Sequence, residues 1–141
     1  MPLRSIVYAS EARAGLTIDD VDDLARAAAR FNIQAGVTGV LLHDGTRFMQ
    51  YVEGPDDGIA VVYSRILTAS SHREIVELGR GQSSIRRLPY WAMRLCPIES
   101  DELRRLLRLD WTGLRCHKAS EGQPTTAMFQ LFSAVVPEIN A

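Results

Sequence analysis

The segment that most narrows the choice of fold is "GVTGVLLHDGTRFMQYVEGP", Gly36 to Pro55. Two runs rich in branched and aromatic residues flank Asp44-Gly45, a dipeptide that readily takes positive φ and so joins antiparallel strands. The spacing predicts a hairpin of residues 37–43 and 46–53. Phe48, Met49, Tyr51 and Val52 fill both faces of its second strand, which therefore lies in a sheet covered on both sides. Gln50 stands at the middle of that strand. A buried primary amide without partners costs roughly 1–3 kcal/mol, so two donors and an acceptor have to be met nearby.

A chain of 141 residues is expected to form one domain around one sizeable core, with no room for a second catalytic or DNA-binding domain. The net charge of −1 and the scattered arginines give no basis for binding nucleic acid or an anionic membrane, which select clustered positive charge. No apolar run approaches the roughly 20 residues of a membrane span, and the amino terminus lacks the apolar centre of a signal peptide. A cytoplasmic protein is expected. Cys96 and Cys116 have neither C-x-x-C nor zinc-finger spacing and read as two reduced thiols.

"SIVYAS", Ser5 to Ser10, predicts a short strand. A helix follows, starting at Thr17, with Asp20 in a weak variant of the capping box and Val21, Leu24, Ala25 and Ala28 on one face, and running out near Asn32. After the hairpin, "GPDD" breaks the chain and Ile59, Val62, Tyr63, Ile66 and Leu67 mark a second helix. "REIVELGRG" and "YWAMRLCP" predict two more strands, the latter beginning just after Pro89, where a missing amide hydrogen does least harm. Ser100 is the expected N-cap of a third helix, and "TTAMFQLFSAVV" predicts a fourth after Pro124, beyond a polar connection.

The order β-α-β-β-α-β with one further strand predicts an α+β fold. It resembles a ferredoxin-like unit extended to a five-stranded mixed sheet, with two helices on one face and two C-terminal helices on the other. The first and third strands are expected as parallel central neighbours, which brings Tyr8 within reach of Gln50.

Tyr8, Gln50 and Asn32 then converge on the helix-covered face. Taken alone, Tyr8 reads as an ordinary buried tyrosine and Asn32 as a helix C-terminal residue tolerant of left-handed geometry. Together they suit a planar ligand held between the two helices, its polar edge meeting the amides of Asn32 and Gln50 while Tyr8 bonds Gln50 from behind. Trp91 and Met93 are expected to share one face of the last strand, with Met93 a polarizable neighbour of that ligand or plain core. Arg65 reads either as a phosphate contact or as a solvated helix face. His72 follows the second helix as a surface or capping residue, and His43 and His117 read as solvated. No histidine has a partner at metal-ligand spacing, so no metal site is assigned. Neither a phosphate-cradling glycine loop nor a Ser/His/Asp or Cys/His arrangement is present, which leaves hydrolytic catalysis without support.

The motifs "VYAS", "FNIQAGVTGVLL", "FMQYVEGP" and "WAM" resemble a BLUF domain, the flavin-binding blue-light sensor, over about residues 4 to 95. The resemblance implies a non-covalent flavin, FAD with FMN as the alternative, between the first two helices. It implies flavin contacts from Tyr8, Asn32, Gln50, Arg65, His72 and Met93, and a photoactive set of Tyr8, Gln50, Trp91 and Met93. In such domains Tyr8 would donate an electron and a proton to the excited flavin, and the Gln50 amide would then rotate or tautomerise. A sensory domain over residues 1–97 and a helical extension over 98–141, packed on the same domain, are expected. So are self-association, no enzymatic activity, and signalling to a separate, unidentified downstream protein. The sequence departs from the family at Ala69 and Ser71, where an acidic residue and an arginine are usual and charge-assisted bonds would be lost. The alternative is therefore a flavin-poor, light-blind interaction module on the same scaffold.

Overall fold

The computed structural model describes residues 3–88, 91–111 and 126–135. Its strands are β1 (Leu3–Ala12), β2 (Thr38–His43), β3 (Arg47–Gly54), β4 (His72–Ser83) and β5 (Arg94–Pro97). Its helices are α1 (Ile18–Ala35), α2 (Asp56–Thr68), α3 (Ser100–Leu107) and α4 (Thr126–Val135). They build the expected α+β fold, a five-stranded mixed sheet in the order β4-β1-β3-β2-β5.

The hairpin forms where the Asp44-Gly45 signal placed it. Gly45 adopts φ 105°, and Asp44 Oδ1 accepts from the backbone N–H of Thr46 and Arg47 at 2.9 and 2.8 Å. The α1 crossover makes β2 run parallel to β1, and the hairpin then reverses the chain. β3 therefore pairs with β1 antiparallel, not parallel as the sequence reading had it. The register sets Tyr8 directly opposite Gln50 and Val7 opposite Tyr51.

Thr17 and Asp20 form a full capping box at 3.0 Å each way, so the weak signal in the sequence is realised. At the other end the left-handed residue is Gly36, φ 73°, whose N–H meets the carbonyls of Asn32 and Ile33. Asn32 is thus a helical residue one turn inside the end, which turns its side chain to the sheet.

α1 and α2 cover one face: Val21, Ala25, Ile59 and Val62 pack on Ile6, Leu41, Phe48 and Val52. Leu103 and Leu106 of α3, and Met128 and Leu131 of α4, cover the other with Val7, Val40, Leu42, Met49 and Tyr51. Each such buried side chain contributes about 1.5–3 kcal/mol relative to exposure.

The C-terminal part departs from expectation in two places. β5 starts at Arg94, not just after Pro89, because the carbonyls before it are used elsewhere: Trp91 O accepts from Gly39 N–H at 2.7 Å and Ala92 O from Asn32. Only from Val40 opposite Arg94 does the parallel ladder run. Glu99 rather than Ser100 precedes α3 as its N-cap, without a side-chain bond. Cys96 forms no disulfide among the described residues, while Cys116 and His117 lie outside them. No described helix is long and apolar enough to cross a membrane.

Candidate functional site

A cleft of about 140 Å³ opens between α1 and α2 over the middle of the sheet. Tyr8 and Gln50 lie at its floor because residues two apart on a strand share a face, and the β1–β3 register puts the two opposite each other. Leu24, Ala27 and Ala28 of α1, Leu41 and Phe48 of the hairpin, and Val62 and Ile66 of α2 make its walls apolar. Asn32, Arg65, Ala69, Ser71 and His72 bring polar groups or small side chains to it.

The Tyr8 hydroxyl donates to Gln50 Oε1 in a short bond. Gln50 Nε2 faces Met93 Sδ at 3.3 Å, a soft and weak acceptor. Gln50 is only 5% exposed and Tyr8 3%. Burial pushes the Tyr8 phenol well above the ordinary tyrosine range, and nearby Tyr63 adds to the shift. The phenol therefore stays protonated and can act only as the donor toward Oε1.

Asn32, 1% exposed, donates from Nδ2 to Ala92 O at 2.8 Å, which ties α1 to the segment before β5. The Arg65 guanidinium lies 4.6 Å from the Phe31 ring centroid, a cation–π contact at the cleft. His72 Nε2 donates to the Ile66 carbonyl at 2.8 Å, satisfying one of the last carbonyls of α2, and its Nδ1 meets the Ser10 hydroxyl at 2.7 Å. Capping is one of the two roles the sequence suggested for this histidine; it also lines the cleft.

Trp91 and Met93 do not share a strand face. Both precede β5, Met93 packing with the α1–α2 layer and Trp91 against the opposite one, its ring under Arg94 at 4.5 Å. His43 is not solvated either: it stacks on Phe48 at 4.8 Å, and its Nε2 is enclosed without a hydrogen-bond partner among the described residues. Burial lowers its pKa, opposed by Asp44. Ser10 and Phe48 were read only as strand residues and not as neighbours of the site, although Ser10 is two residues from Tyr8 and Phe48 two from Gln50 and so share their faces. Among the described residues no cluster of three His, Cys, Asp or Glu can hold a metal.

Apolar walls, small residues on α1 and a floor of amide and phenol groups fit a planar heteroaromatic group with a polar edge. A flavin has that chemistry.

Comparisons with known proteins give the family and the fold. The family profile described as "BLUF: Sensors of blue-light using FAD" matches residues 3–94. A blue light- and temperature-regulated antirepressor of Escherichia coli (strain K12) is 31% identical over 100 residues, 71% of this chain and 25% of its own length. This chain thus spans a quarter of that relative. The dark-state structure of BlrB, a BLUF protein, superposes with a TM-score of 0.67 at 31% identity, covering 90% of this chain and 96% of that one. The BlrP1 BLUF structure gives 0.68 at 28% identity, covering 100% and 94%.

Proposed function

This chain belongs to the BLUF family of blue-light sensors using FAD, and we propose on that premise that it signals through rearrangement of the Tyr8–Gln50 pair. The observation that carries the reading is the buried Tyr8–Gln50 hydrogen bond at the floor of the α1–α2 cleft. Tyr8, Asn32, Gln50 and Met93 would hold the flavin ring, with Arg65 and His72 toward its outer parts; FAD is the form we infer. A flavin bound there supplies blue-light absorption and, once excited, an acceptor for one electron.

Tyr8 is placed to release an electron. An oxidised phenol is strongly acidic, so its proton would pass along the existing bond to Gln50 Oε1, and electron and proton would both return to Tyr8 as the pair recombines, leaving only the orientation or tautomer of the Gln50 amide changed. Gln50 is the group that can record the event, because an amide carries donor and acceptor on opposite sides and exchanges them by rotation or tautomerisation. After such an exchange the group facing Met93 Sδ changes from donor to acceptor. That contact is lost, and the segment before β5 is released from the cleft. The protein acts on this reading without an enzymatic activity of its own, by presenting the change to a separate partner, with residues 1–97 as the sensory domain and 98–141 as the extension that reads it.

The test is an absorption spectrum of the purified protein in darkness and after blue light. A flavin band that moves to longer wavelength and relaxes in the dark is expected, and Gln50→Leu or Tyr8→Phe should abolish the movement while retaining the band and the fold. A shift of normal size in Gln50→Leu would falsify the mechanism.

A further inference from the structure

One buried acid lies outside this chemistry. Glu53, 1% exposed, sits on β3 three residues after Gln50 and therefore on the opposite face, among the side chains that meet α3 and α4. A carboxylate in such a layer is costly unless its oxygens are met, and both are: Oε1 accepts from the Tyr51 hydroxyl at 2.6 Å, Oε2 from Leu88 N–H at 2.5 Å. The neighbouring Arg86 reinforces the attachment. It donates to Thr38 Oγ1 at 2.9 Å and to Gly36 O at 3.0 Å.

Residues 86–88 are thereby pinned to the strands on one face, while Met93, five residues beyond Leu88, touches Gln50 on the other. The tether is short, so the placement of Leu88 limits where the Met93 sulfur can lie. Tyr51, next to Gln50 in sequence, also stands edge-on to the Phe132 ring of α4 at 6.2 Å. One carboxylate thus joins the chain entering the Gln50 site to a side chain that touches the last helix.

We propose that Glu53 is a positioning residue that couples the Gln50 site to α4: it holds Leu88, and through Tyr51 it passes displacement of Leu88 to Phe132. The coupling rests on the photosensory reading above.

Hydrogen exchange on the full flavin-loaded chain, in darkness and under blue light, tests it together with the absorption spectrum. In the parent, light is expected to raise exchange both around Leu88 and in α4. Glu53→Gln should speed Leu88 exchange in darkness by about tenfold, since one of two charge-assisted bonds is lost. It should keep the spectral shift at its parent size and abolish the light response of α4. Tyr51→Phe, which leaves the Glu53–Leu88 bond, should keep Leu88 protected in darkness and still silence α4; it decides the matter if Glu53→Gln does not fold. A light response of α4 that survives either folded variant overturns the coupling. A parent with a flavin shift but no light response in α4 does so as well. A parent with no shift at all overturns the photosensory reading, and the coupling with it.

Discussion

Tyr8 and Gln50 meet because each sits at the middle of a central strand whose neighbours alternate between two apolar layers. Their bond is intramolecular and buried, so its geometry is set by packing. At the rim of the same cleft, Ala69 caps the end of α2 and Ser71 precedes β4, and neither carries a charge. Introducing Ala69→Asp with Ser71→Arg is expected to tighten flavin binding a few-fold to about tenfold, the range that separates exposed from partly buried charge pairs; a fluorescence titration measures it. His43 supplies a pH dependence. Its folded pKa lies below the unfolded value, so the unfolded chain binds the extra proton between the two. Stability is full above the unfolded histidine value of about 6.5 and falls as pH drops through the folded one. His43→Gln should flatten that part of the profile in denaturant titrations at pH 5 to 8. Buried polarity singled out Gln50 in the sequence, and Tyr8 and Asn32 joined it only through their expected convergence on one face, whereas burial of His43 depends on its stacking against Phe48, which no local pattern encodes.

Among the elements, α1 and α2 approach closely at Gly58, where an added Cβ would strike the Ala35 carbonyl. Gly58→Ala is expected to push the helices apart, costing roughly 1–3 kcal/mol as overpacking and weakening flavin binding. Thermal unfolding with and without flavin checks both. The helices and the hairpin were legible because caps, turn dipeptides and apolar periods are local signals. The segment from Trp91 to Met93 was misread as strand because its alternation looks like one. Its carbonyls bond Gly39 and Asn32 instead, and those partners are remote in sequence.

For the molecule as a whole, the sheet has two apolar faces with separate roles, the cleft on one and α3 and α4 on the other. Leu131 is fully buried against the second face. Leu131→Ala is expected to cost about 2–5 kcal/mol in denaturant unfolding and to leave the flavin band and its shift in place, since the sheet separates it from the cleft. Loss of the band in a folded variant would show that packing on the second face is needed to hold the flavin. The covering of both faces was legible from Phe48, Met49, Tyr51 and Val52, which leave no polar side to the strand.

The sequence by itself determined the elements, the five-strand count and the buried tyrosine, glutamine and asparagine of the site, because turn chemistry, apolar period and the cost of a lone buried amide act within a few residues. Only the tertiary structure decided which residues of β1 and β3 stand opposite each other, the opposite placements of Trp91 and Met93, and the burial of Glu53 under Leu88. Each depends on hydrogen bonds between groups tens of residues apart, whose pairing is settled by closing the sheet and not by any local preference.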